Sequence, residues 1–163
     1  MQKDYIMRII EQFVQAILSI TGLRQAKEYK EARELVRTAG RSLLRMDINV
    51  LLLYHPDQLL DHFKDLSNRL ETEKCVLSAD LFHELALIEE AELRSEAALR
   101  IKTLCLYLYS VGIPQDEQFQ TPQYFEKVSK LTEELVAQPL SPNILKCLRS
   151  YQEFLLLADN KGI

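Results

Sequence analysis

Residues that break helices are scarce in this chain, with four glycines and five prolines among 163 residues. Leu, Ala, Glu, Lys, Arg and Gln, which lose little conformational freedom in a helix, fill much of the remainder, so the sequence reads as all-α. Cysteine is also sparse. Cys75, Cys105 and Cys147 are odd in number and lack any Cys-x-x-Cys spacing, a pattern that suggests neither a disulfide framework nor a zinc site and predicts reduced thiols. Long apolar runs are missing: the longest unbroken one, Leu104 to Tyr109, is far short of the roughly 20 residues that span a bilayer. The segment Met1 to Arg8 carries Asp4 and has no apolar middle or small-residue cleavage site. The expectation is a cytoplasmic protein without a membrane partner.

Catalytic signatures are absent as well. His55, His62 and His83 are the three histidines, and His83-Glu84 is followed by Leu87 where a zinc protease needs a second histidine. No Glu-x-x-His pair suits a di-iron bundle, and no Gly-rich phosphate loop, nucleophile elbow or Ser/His/Asp set can be traced. The expectation is therefore a non-enzyme with no cofactor and no metal.

What is present is 47% hydrophobic and 27% charged, in the range of one globular domain covering residues 1–163. The formal net charge of −4 is unevenly spread. Between Arg24 and Arg45, seven basic residues face Glu28, Glu31 and Glu34, leaving +4. Between Asp57 and Glu96, eleven acidic residues face Lys64, Arg69, Lys74 and Arg94, leaving −7.

Apolar periodicity places about seven helices. Leu77, Leu81, Leu85 and Ile88 form one stripe and Ala97, Ile101, Leu104, Leu108 and Val111 another, separated by the polar run Glu89 to Glu96. The spacing predicts a central antiparallel hairpin with Ser95 capping its second helix; one unbroken helix is the alternative, because the turn has no Gly or Pro. Before it, a first helix starts near Asp4, carries Ile6, Ile9, Ile10, Phe13, Val14, Ile17 and Leu18, and ends near Gly22. Its apolar stripe is wider than one neighbour covers. A second helix covers about Gln25 to Arg45 and is extended through Asp47 to Tyr54, with a possible bend at Gly40. Asp57 caps a third, with Leu59, Leu60, Phe63, Leu66 and Leu70 inward. After the hairpin, Gly112 and Pro114 lead into a loop over Gln115 to Gln120. Thr121-Pro122 and Ser141-Pro142 each open a helix, with Pro in a position where its missing N–H is not needed.

Lys27-Glu28-Tyr29-Lys30-Glu31-Ala32, followed by Val36 and Ala39, resembles the second helix of a tetratricopeptide repeat, with the first helix as its partner. In the central hairpin, Phe82, Leu85 and Ala86 match the first helix of such a repeat and Ala98 and Cys105 the small positions of the second. The pattern is degenerate, and the two units stand at nearly double the usual period. Asp4-Tyr5-Ile6-Met7-Arg8-Ile9-Ile10-Glu11-Gln12, supported by Lys102-Thr103-Leu104-Cys105-Leu106-Tyr107-Leu108-Tyr109, is also similar to a family of small, functionally unassigned bacterial proteins, mostly Gram-positive, with tetratricopeptide-like helices. That resemblance implies stacked antiparallel hairpins and little biochemistry. A co-chaperone-type carboxylate clamp does not fit, because the matching groove positions hold Asp80, His83, Leu87 and Glu90.

Arg33, Arg37, Arg41 and Arg45 recur every four residues and climb one helix face. Such a stripe can meet an acidic partner or phosphates, or pair internally with Glu11 or the acidic region after Asp57. The negative net charge and the lack of interleaved aromatics argue against nucleic acid. The functional expectation is a non-catalytic interaction module or scaffold for a protein or peptide partner, with Arg33, Arg37, Arg41, Arg45, Asp80, His83, Leu87 and Glu90 as candidate partner surface. Two alternatives stand beside it. One is a helical bundle with a small-ligand or metal pocket near Asp80, His83, Glu84 and Glu90. The other is a structural homodimer through Ile6, Ile10, Val14 and Leu155.

Overall fold

The computed structural model describes residues 2–162, which form eight α-helices and no strand beyond one isolated bridge between Lys64 and Leu70. The all-α reading holds, with one helix more than expected. The helices are α1 (Gln2–Gln25), α2 (Tyr29–Leu44), α3 (Ile48–Leu51), α4 (Pro56–His62), α5 (Thr72–Ala91), α6 (Ser95–Gly112), α7 (Pro122–Leu135) and α8 (Pro142–Asn160). Two 3₁₀ turns, Ile113–Gln115 and Glu117–Phe119, connect α6 to α7.

The α5–α6 hairpin is the centre of the molecule. α1 and α2 pack on each other and both on α5, while α7 and α8 both pack on α6. Neighbours on several sides explain why α5 buries far more than its predicted stripe. Cys75, Val76, Ala79, Phe82 and Ala86 are as enclosed as Leu77, Leu81 and Ile88. The hairpin turns without Gly or Pro because Leu93 takes the left-handed conformation at φ 63°. Arg94, not Ser95, occupies the N-cap position, and its side chain makes no capping bond. Gly112, the last residue of α6, allows a close approach to α5: a Cβ there would sit 2.7 Å from Val76 Cγ2, too close for a side chain.

Several boundaries differ from the sequence reading. Gly22 lies inside α1 with nothing near it, and the left-handed residue beyond the helix is Lys27, at φ 60°. α2 does not continue through Tyr54. Arg45 at φ 56° stops it, and Asp47 starts the separate short helix α3 by accepting the Asn49 N–H at 2.8 Å. Gly40 marks no break in α2; it packs beside Ile48 and the Met46 carbonyl, each 3.4 Å from where its Cβ would stand. α4 is capped by His55 and not by Asp57, and it ends at His62. A turn follows in which Asp65 accepts the N–H groups of Ser67 and Arg69, leaving Leu66 fully exposed. α7 and α8 begin as expected, with Thr121 and Ser141 accepting the N–H groups of Tyr124 and Ile144.

Candidate functional site

Polar and apolar groups concentrate in three places: the polar side of α5, the arginine stripe on α2, and the outer face of α1.

Asp80 is buried on α5, where both tyrosine hydroxyls of Tyr109 (α6) and Tyr124 (α7) donate to its carboxylate and Lys127 Nζ lies 3.0 Å from Oδ1. The two rings meet edge to face, 5.9 Å between centroids. Burial, followed by the Asp80 charge, raises both tyrosine pKa values, which keeps the hydroxyls protonated and donating. One turn further, Glu84 accepts Thr21 Oγ1 and Arg24 Nε from α1, both at 2.8 Å. Glu90, at the end of α5, shares the nearly buried Lys102 with Glu134, at 2.8 and 2.5 Å. Asp80, Glu84 and Glu90 therefore serve three different partner sets, tying α5 to α6 and α7, to α1, and again to α6 and α7. The expected convergence on one pocket does not occur, because each carboxylate is already matched by a cation from a neighbouring helix. Among the described residues no group of His, Cys, Asp and Glu is arranged to hold a metal ion.

His83 and Leu87 are half-buried on the same side of α5. Burial, then the charge of Lys127, lowers the His83 pKa, with Lys102 acting the same way and Glu84 and Asp80 opposing. In the folded chain His83 thus holds a proton less tightly than its ordinary value of 6.5. Between the two values the unfolded chain binds more protons, so the contribution of neutral His83 is complete above about pH 6.5 and lost as pH falls through the lowered value. Urea titrations at pH 7.5 and 5.0 should show a larger loss of stability for the parent than for His83→Gln; equal losses would reject this assignment.

Two members of the arginine stripe, Arg33 and Arg41, are satisfied from within. Arg33 pairs with Glu89 and Glu92 at the hairpin tip, and Arg94 lies 3.6 Å from the other Glu89 oxygen. Burial would lower the Arg33 pKa, but the bonds to Glu89 and Glu92 outweigh it and raise it. Arg41 meets Asp47 at 3.0 Å. Arg37 has only long contacts, 3.5 Å to Glu34 and 3.7 Å to Asp47, and its Nε is buried with no acceptor. Arg45 is exposed. Sequence reasoning placed Glu89 in a solvated turn and missed it as the buried anchor of this cluster; its place one turn beyond Leu85 was the available signal. Arg37 also lines a cleft of about 210 Å³ together with Arg33, Arg100, Asn49, Glu89 and five apolar residues.

α1 presents the largest apolar display. Phe13 and Ile20 are fully buried, whereas Tyr5, Met7, Val14 and Leu18 are 59, 51, 44 and 61% exposed. Over an 18-residue window its mean hydropathy reaches 1.3, with 11% of that window buried. By length and composition alone it is long and apolar enough to cross a membrane, a property hidden from a search for unbroken runs because Arg8 and Glu11 interrupt it. Ile6 and Ile10 are half-buried and line a wedge of about 630 Å³ with Lys3, Met7, Glu11, Glu73 and Gln118. Leu155, like Ile10, is partly buried against the core, and Leu145, Leu156 and Leu157 are exposed on α8. All three cysteines are free. Cys75 and Cys105 are fully buried with their thiols toward the Leu108 and Ala79 carbonyls, and burial pushes the Cys75 thiol up to about 12 and the Cys105 thiol higher still.

Compared with family models, curated proteins and solved structures, the chain finds no match.

Proposed function

We propose that this chain is a non-catalytic interaction module whose contact surface is the outer face of α1. The carrying observation is the mismatch between that helix's composition and its burial. Met7, Ile10, Val14 and Ile17 follow alternating steps of three and four residues, the spacing of a seam that receives a second helix. Phe13 and Ile20 are enclosed beside α2 and α5 and Ile10 and Ile17 are half-buried at the edge of that contact, whereas Met7, Val14 and Leu18 stand exposed. A contiguous apolar face of this kind marks an interaction site more often than a solvated surface. The occupant that suits it is an apolar helix from another protein chain, laid along the seam with its side chains entering the wedge beside Glu73.

The test is Val14→Glu/Leu18→Glu, two exposed positions where a carboxylate costs the fold little. Light scattering at two protein concentrations, together with capture of partners from the native host, should show self-association or a bound partner that the double variant loses, with an unchanged unfolding midpoint. A parent that stays monomeric and recovers the same proteins as the variant would overturn the proposal.

A further inference from the structure

The cleft beside Arg37 lies away from the outer face of α1 and has a different chemistry. α2 supplies Arg33 and Arg37, α3 and the residue after it supply Ile48, Asn49 and Leu52, and the tip of the central hairpin supplies Leu85, Glu89, Ala97, Arg100 and Ile101. Three arginines face one carboxylate, and that carboxylate is taken by Arg33 and Arg94. Among the described residues that leaves Arg100 unpaired and Arg37 held only by long contacts to Glu34 and Asp47. Arg100 is exposed and forms no ion pair among the described residues. The Arg37 side chain makes no hydrogen bond within the described residues: its Nε has no acceptor, Glu34 stands at 3.5 Å, and Asp47, at 3.7 Å, already accepts nearer bonds from Arg41 and Asn49. The walls between these cations are aliphatic, with Ile48 almost completely enclosed and Leu85 and Ile101 buried.

We infer that this cleft binds an aliphatic carboxylate, its two oxygens held by the guanidinium groups of Arg37 and Arg100 and its hydrocarbon against Ile48, Leu52, Leu85, Ala97 and Ile101. Arginine suits this task because its planar fork matches a carboxylate with two parallel charge-assisted bonds. A bare phosphate would leave the aliphatic walls unused and bring a second negative charge toward Glu89. The size sets the other limit. A volume of about 210 Å³ falls below the roughly 300–1,000 Å³ of most cofactor and drug pockets, so the ligand is of the order of one amino-acid residue. A free short-chain acid and the terminal residue of a polypeptide share this chemistry.

Calorimetric titration of the full chain separates the sources. The probes are hexanoate, hexanol as its neutral counterpart, and a short peptide ending in leucine with a free or an amidated terminus. Hexanoate or the free-terminus peptide should bind saturably, while hexanol and the amide should not. Whichever of the two acids binds at least about tenfold more tightly identifies the source, each 1.4 kcal/mol being a factor of ten. Arg100→Gln removes an exposed side chain without an internal ion pair, so it should keep the parent's unfolding midpoint and weaken binding by about tenfold or more. Ala97→Phe, which fills the cleft, should abolish binding. Absence of saturable binding by both acids, or binding unchanged in Arg100→Gln and Ala97→Phe, would overturn the inference. Neither result depends on α1, so this site and the interaction surface fail or stand separately.

Discussion

Asp80→Ala should lower the free energy of unfolding by about 3 kcal/mol, because it removes the acceptor of a fully buried hydroxyl and leaves a neighbouring cation unmatched. Tyr109 has no route to water, so its donor stays unpaired after the substitution. Tyr124 and Lys127 are less enclosed and regain part of their hydration, which keeps the cost below that of a wholly buried ion pair. Asp80→Asn retains an acceptor for one hydroxyl and should fall between the parent and the alanine variant. Urea unfolding followed by helical circular dichroism measures both. A loss under about 1 kcal/mol for Asp80→Ala would mean that water replaces the carboxylate, and the network would have to be regarded as solvated.

Phe82→Ala should cost more, about 3–5 kcal/mol, through lost transfer energy and the cavity left behind. Phe82 is fully enclosed on the helix that α1, α2 and α6 all pack against, so collapse into the void would have to move several helices at once. Against a typical total of roughly 5–15 kcal/mol, that loss brings the protein near its threshold of folding. The denaturation midpoint should fall with the slope retained. A small change would show that the helices around α5 can close the gap, contrary to their enclosure of it on several sides.

Much of this architecture was legible in the chain. Thr121-Pro122 and Ser141-Pro142 announced α7 and α8, since an N-cap hydroxyl and a following proline act locally and need no knowledge of neighbours. The central hairpin was visible from its two stripes, but the extent of α5's burial was not. A helix surrounded by others loses the contrast between its faces, so periodicity reports only the strongest stripe. The errors around residues 45–70 have a different origin. There Arg45, Asp47, Asp65 and Asn68 end or start elements by backbone conformation and side-chain bonds, overriding an apolar pattern that would have run on to Leu70. The arginine stripe was visible as a stripe, yet which of its members were spoken for depended on Glu89 and Asp47, placed beside it only by the fold.

The two enclosed thiols give the molecule a reporter of its own opening. Cys75 and Cys105 lie on facing helices of the central hairpin, wholly out of water and held as unreactive thiols. A thiol reagent can reach them only when those helices separate, whereas Cys147 is half-exposed on α8. The modification of Cys75 and Cys105 in native solution is then a clock for the parting of α5 from α6, running on the lifetime of the folded chain itself.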